Sequence, residues 1–236
     1  MVADNYLKGF HYSDKNKVTK KLDRIFHDGK DDLHLVLDFD RTLTTRKNKF
    51  GEDVTTWEIL KQHLSEAGQK EYQRFFETYR PLEARGEMTQ EHAKVWWESI
   101  IKLYQSEGLN LSMIEKDVNK RMPIRRHAKT LLELCEKEKI PTIIVSAGLK
   151  DVIELWCSKF KLNPTVILST KLIFSKDGGI KGWYKKSLIH VLNKKEKGHK
   201  EITKIRTARP NTILIGDSMD DASIVEGDNN VLSLNN

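Results

Sequence analysis

VLDFDRTLTT, residues 36–45, runs an apolar segment straight into two aspartates one residue apart, Asp38 and Asp40, and then into hydroxyls. With Leu33 and Leu35 before it, the apolar part is Leu-rich and lacks regular polar alternation, the pattern of a strand covered on both faces. Such strands belong to parallel sheets, where ligands bind beyond the carboxyl ends. The two charges therefore stand where a ligand would be met.

Three further runs share the pattern: PTIIVSAG (141–148), PTVILST (164–170) and NTILIGDS (211–218). Amphipathic stripes lie between them. Val18, Leu22, Ile25 and Phe26 precede the first strand; Leu131, Leu132, Leu134 and Cys135 precede the second; Val152, Ile153, Leu155 and Trp156 follow it. Strand, turn and helix in repeating order predict an α/β fold, a doubly wound Rossmann-like parallel sheet. KLIFSKDGGIKGWY (171–184) predicts a β-hairpin, because Asp-Gly and Gly-Gly accept positive φ, leading into a helix near SLIHVLNKK. VLSL, near the end, would add an edge strand.

The first two strands are separated by residues 46–125, far more than a loop of a few residues. That interval is rich in helix formers, as in TTWEILKQHLSEAGQKEYQRFFETYR and TQEHAKVWWESIIKLYQSEG. The expected organisation is a core of residues 1–45 and 126–236, with a helical cap, 46–125, inserted after the first core strand.

Composition narrows the function classes. Hydrophobic residues make up 38% of the 236 and charged residues 32%, enough to fill a core, and no apolar run approaches the roughly 20 residues of a membrane span. MVADNYLKGFHYSDKNK has no apolar leader pattern, and Cys135 and Cys157 sit outside any CxxC or Cys/His cluster, so reduced, buried thiols and a cytoplasmic setting are expected. The net charge of +7 suits an anionic partner such as a phosphate ester. Its lysines are scattered among acids, with no nucleic-acid-binding motif, which makes nucleic acid the weaker candidate.

Polar groups gather at the strand ends: Asp38 and Asp40 after the first, Ser146 after the second, Asp217, Asp220 and Asp221 after the last. One aspartate there would be an ordinary turn or cap residue. DFDRTLT and GDSMDD together, each following a buried strand, form a more specific pair. Three like charges brought together call for a cation, and oxygen ligands without His or Cys favour magnesium over zinc. Ser146, before Ala147 and Gly148, either caps the following helix or belongs to a phosphate pocket at its N-terminus. Of the candidate cations Lys185, Lys186, Lys194, Lys195, Lys197 and Lys200, spacing alone selects none.

DFDRTLT, VSAG, a downstream lysine and GDSMDD resemble the four motifs of the haloacid dehalogenase superfamily of phosphatases. More narrowly, KVTKKLDRIF, IPTIIVSAGLKDVIE, LIHVLNK and ILIGDSMDDASIVEG resemble the cytosolic pyrimidine 5′-nucleotidase family, over about residues 17–230. The resemblance implies a magnesium-dependent phosphomonoesterase that hydrolyses a nucleoside monophosphate. Asp38 would be the nucleophile and Asp40 the acid/base. Asp38, the Asp40 backbone carbonyl and Asp217 would hold Mg2+, with Asp221 orienting the lysine. Ser146, Ala147 and Lys194, singled out by LNK, would bind phosphate. Asp220 stands where relatives carry glycine. YRPLE (79–83) aligns Glu83 with a glutamate that reads the base, a loose match that leaves an ordinary surface glutamate as the competing reading.

Trp96 and Trp97 offer a stacking face, although adjacent helical positions cannot both point one way, so at least one should be packing. Two other functions compete: a phosphatase for another small phosphate metabolite, and a catalytically weak nucleotide- or nucleic-acid-binding protein. Intact Asp38, Asp40 and Asp217 count against the latter, since a binder needs no nucleophile beside a metal.

Overall fold

The computed structural model describes residue 11 and residues 14–195, 199–225 and 230–235. Its strands are β1 (Leu33–Leu37), β2 (Thr142–Leu149), β3 (Val166–Thr170), β4 (Leu172–Phe174), β5 (Ile180–Trp183), β6 (Asn211–Gly216) and β7 (Asn230–Asn235). Five of them form one sheet in the order β3-β2-β1-β6-β7, and every pairing is parallel. β4 and β5 form the predicted hairpin, and VLSL falls within the edge strand β7. Leu37 lies between Ile144 of β2 and Ile215 of β6, so the chain leaves all three strands at one edge.

β1 sits at the centre and is buried throughout. Its alternate residues face opposite ways, as strand geometry requires: Leu35 and Leu37 join the cluster containing Phe39, Leu149 and Trp156, while Val36 joins Val145, Ile202 and Leu214. Phe39 meets Trp156 edge-on at 5.1 Å.

The helices are α1 (Lys15–Asp28), α2 (Glu66–Ala84), α3 (Gln90–Ser106), α4 (Leu111–Arg121), α5 (Ala128–Lys137), α6 (Lys150–Phe160) and α7 (Lys200–Ala208). Asp14 caps α1 by accepting from the Lys17 N–H, and Gly29, at φ 80°, ends it. The segment between β1 and β2 carries a short 3-10 helix (Glu58–His63), α2, α3, α4 and α5, with α2, α3 and α4 capped by Ser65, Thr89 and Asn110. The hairpin reaches back to this segment. Leu111 N–H donates to Gly178 O (2.9 Å), Ile180 N–H donates to Leu109 O (3.0 Å), and Asn110 bridges Gly179.

The predicted helix near SLIHVLNKK does not form. A 3-10 turn at Lys185–Ser187 and a turn at 191–193 take its place. The cause is Asn193, whose amide accepts from His190 N–H (2.7 Å) and donates to Leu188 O (3.0 Å), giving those backbone groups partners outside a helix. Ser146 is not a helix cap either, because β2 runs on to Leu149 and α6 begins at Lys150. Phe26 and Leu134, counted in the helical stripes, are about half exposed, at 47% and 51%.

His34 of β1 is fully buried, its Nδ1 bonded to Arg209 O and its Nε2 facing the Thr212 hydroxyl. Burial holds its imidazole down to about 4 from an ordinary 6.5. The neutral ring fits the native state, whereas the unfolded chain protonates it below 6.5. This group's contribution is therefore intact above that value and is lost as the pH falls towards 4, by up to about 3 kcal/mol. The difference in urea-unfolding free energy between the protein and His34→Gln should shrink across that window, and a pH-independent difference would contradict it.

Candidate active site

The floor of the site is the end of β1. Asp38 N–H donates to Ile215 O (2.9 Å), which locks the strand end to β6, and the carboxylate is 4% exposed. Its Oδ2 accepts from the Thr42 hydroxyl (2.9 Å), four residues on in the same loop, and its Oδ1 accepts from Lys194 Nζ. Lys194 also donates to Asp221 Oδ1 (2.8 Å), and the other Asp221 oxygen accepts from Ser218 N–H (3.1 Å). Asp38, Asp217 and Asp221 each offer a carboxylate oxygen, all within 4.8 Å of one another. An all-oxygen donor set beside strand ends fits a hard divalent cation such as Mg2+.

Electrostatics follow from this crowding. Burial pushes the Asp38 carboxyl up, the Lys194 ammonium pulling the other way. Burial alone would lower Lys194, but Asp38 and Asp221 outweigh it and hold the ammonium above its ordinary range. Burial and the Asp221 charge raise Asp217, partly offset by Arg41. Asp40 has its own partner: Thr56 N–H reaches its Oδ1 (2.9 Å) and the Thr56 hydroxyl its Oδ2 (3.2 Å). Burial and the neighbouring Asp38 charge push the Asp40 carboxyl up to about 7.

Ser146 and Ala147 lie in the last half of β2, the strand beside β1. Ser146 Oγ accepts from Gly148 N–H (3.0 Å), and the Ala147 carbonyl accepts two indole N–H bonds, from Trp57 (3.2 Å) and Trp97 (2.7 Å). Ser146, Ala147, Trp57 and Trp97 line one cleft of about 450 Å³ that runs from Asp38, Asp40, Lys194 and Asp217 up to Tyr72, Phe76 and Glu83 of α2 and Trp96 of α3. Both Trp96 and Trp97 border it. They meet edge-on at 4.9 Å, Trp97 spending its N–H on Ala147 while Trp96 stacks on Tyr79 at 5.7 Å and leaves its own N–H without a partner. Glu83 lies at the far end, ion-paired with Arg80. Of the candidate lysines, Lys194 lines the cleft, and Lys197 lies outside the described residues.

Thr56, Trp57 and Thr42 went unnamed in the sequence reading. Thr42 had a signal, since it lies inside DFDRTLT. Thr56 and Trp57 had none: their partners are 16 and 90 residues away.

The fold, with three carboxylates and a buried lysine gathered beyond the strand ends, is that of the haloacid dehalogenase phosphatases, and the chain is a phosphomonoester hydrolase. The sequence model of the pyrimidine 5′-nucleotidase family (UMPH-1) matches residues 41–234, and the chain belongs to that family. It is 29% identical over 210 residues to the 7-methylguanosine phosphate-specific 5′-nucleotidase of Mus musculus, covering 84% of this chain and 70% of the relative. Against form A of the same enzyme from Xenopus laevis it is 29% identical over 228 residues, covering 91% and 77%. Its fold matches the crystal structure of cytosolic 5′-nucleotidase IIIB bound to cytidine, with TM-score 0.81 and 22% identity over 98% of this chain and 83% of that one. It also matches a substrate-bound phosphoserine phosphatase, with TM-score 0.54 and 17% identity over 81% and 80%. No helix among the described residues is long and apolar enough to cross a membrane.

Proposed function

We propose that this chain hydrolyses nucleoside 5′-monophosphates, pyrimidine nucleotides among them, through an aspartyl-phosphate at Asp38. The observation that carries the proposal is the cleft, which joins an acid–lysine floor to an aromatic wall ending in Glu83, a length and chemistry suited to phosphate, ribose and base in turn. In this mechanism Asp38 attacks phosphorus while Thr42 and Lys194 hold its two oxygens in place. Lys194, Ser146 Oγ–H and the Ala147 N–H receive the phosphoryl oxygens. Asp40 gives its proton to the leaving 5′-oxygen and then takes one from the water that hydrolyses the acyl phosphate.

Asp38, the Asp40 carbonyl and Asp217 would hold Mg2+, with Asp221 orienting Lys194. The ion, when bound, offsets charge on the nucleophile and on the phosphoryl oxygens. Residues 46–125 act as a cap over a core of 1–45 and 126–236, excluding water from the reaction. A cytosolic setting suits the two free, buried thiols, Cys135 and Cys157.

The decisive experiment is phosphate release from pyrimidine, purine, 7-methylguanosine and sugar monophosphates, with magnesium and then with chelator. Magnesium-dependent turnover of nucleotides is expected; a preference for sugar phosphates would make this a phosphatase for another metabolite, and binding without release would reject the catalytic reading. Glu83→Gln should change the ranking of bases by about 10-fold while leaving an aryl phosphate within about 2-fold, because it alters one hydrogen-bonding atom far from phosphorus. Equal losses on both substrates would remove Glu83 from base recognition.

A further inference from the structure

We propose that Thr56 is the residue that aims the Asp40 carboxyl at the leaving group, and that through it the inserted segment controls proton transfer. The inference rests on the acid role proposed above for Asp40.

Thr56 is fully buried. Its N–H and its hydroxyl each take one oxygen of the same carboxyl group, at 2.9 and 3.2 Å. The carboxyl torsion of an aspartate is otherwise broad, so a grip on both oxygens is what fixes the plane. Each carboxyl oxygen has a second lone pair, and the pair not facing Thr56 remains for the proton that goes to substrate. The hydroxyl itself is oriented: Leu149 N–H donates to Thr56 Oγ1 (3.1 Å), and the Thr56 proton goes to Asp40 Oδ2.

The close approach is built in: a Cβ on Gly148 would fall 2.2 Å from Thr56 Oγ1, so the residue after Ala147 must be glycine for the contact to exist. Thr56 is also continuous with the aromatic wall. Trp57, the next residue, and Trp97 of α3 share the Ala147 carbonyl, and Tyr104 of α3 donates to Trp57 O (2.7 Å). Moving the wall away from the core pulls on residues 56 and 57 together and takes the two donors off Asp40. Thr56 exchanges no bond in the reaction: the Asp40 proton passes to the leaving oxygen as the P–O bond breaks. It is a positioning residue.

A structural role would slow every substrate alike, so the test compares leaving groups. A nucleoside 5′-oxygen leaves only with a proton, whereas p-nitrophenolate leaves without one. Thr56→Val, which keeps the shape and deletes the hydroxyl, should lower kcat on a nucleoside monophosphate by about 10- to 100-fold, part of the effect of a positioned acid. On p-nitrophenyl phosphate it should change kcat by less than about 3-fold, and Thr56→Ser should recover nucleotide turnover to within about 3-fold of the unaltered protein. Equal losses on both esters, or no recovery by serine, would overturn the proposal. Should Thr56→Val fold poorly, Thr56→Ser combined with Asp40→Asn decides: with the acid removed, serine at 56 should alter neither ester further, and an additional nucleotide-selective loss would reject the coupling. Asp40→Asn alone separates the two readings. If it does not discriminate between the esters, the acid role of Asp40 fails; if it does and Thr56→Val does not, only the role of Thr56 fails.

Discussion

Asp38→Asn should abolish turnover, lowering kcat on the best nucleotide substrate by about 10⁴-fold or more, because the amide is no nucleophile and the covalent step has no substitute at that position. The variant should fold as well as the unaltered protein. Asp38 is buried beside Asp40, Asp217 and Asp221, with burial opposing its charge. Removing that charge relieves repulsion even as it loses the Lys194 partner, and sites of this kind exchange stability for function. The measurement is acid quenching during turnover of a substrate labelled in phosphate: label should remain on the unaltered chain and be missing from Asp38→Asn, with similar thermal midpoints for both. Labelled variant protein, or turnover within about 10-fold, would remove Asp38 from the covalent role.

Lys194→Met should show the opposite balance, losing both activity and stability. The ammonium is the shared partner of two buried carboxylates, donating to Asp38 and Asp221, and a side chain of similar length without charge leaves both uncompensated. Breaking a buried pair in this way costs about 3–5 kcal/mol. Loss of a phosphate-directed cation lowers kcat by about 10²–10³-fold. The two effects separate with magnesium. The added ion should recover part of the thermal midpoint of Lys194→Met, more than it raises the midpoint of the unaltered protein, because the three-carboxylate cluster lacks its internal cation. An equal magnesium response in both proteins would mean that the ion does not bind at these carboxylates.

The sheet was legible because its strands are buried on both faces, and LVL, TIIV and TILI need no context to announce it. The carboxylates were legible for a related reason, since charge at the end of a buried strand is costly and conspicuous. Asn193 concealed the turn after the hairpin: an apolar run such as LIHVL suits a helix until a side-chain amide gives its backbone other partners. Residues 56 and 57 were illegible because a threonine and a tryptophan in a mixed stretch have no periodicity, and their meaning lies in partners from the loop after β1 and from β2. The tryptophan pair was read correctly as packing, since both rings are buried in the core. What adjacency could not show is that both also border the cleft, their rings meeting edge-on.

The bonds from the β4–β5 hairpin to the loop between α3 and α4 have a mechanical consequence. The segment between β1 and β2 is tied to the rest of the protein not only by its two chain connections but by Gly178, Gly179 and Ile180 of the hairpin and by the bonds of Thr56, Trp57 and Trp97 to Asp40 and Ala147. Ties beside α3 stiffen that side of the segment and leave its free end the more compliant. That free end is the last turns of α2, where Pro81 removes a backbone donor from the helix between Arg80 and Glu83. Flexing of α2 is thus easier than displacement of α3, and amide exchange should be fastest in the last turns of α2 and slowest where the hairpin grips residues 109–111.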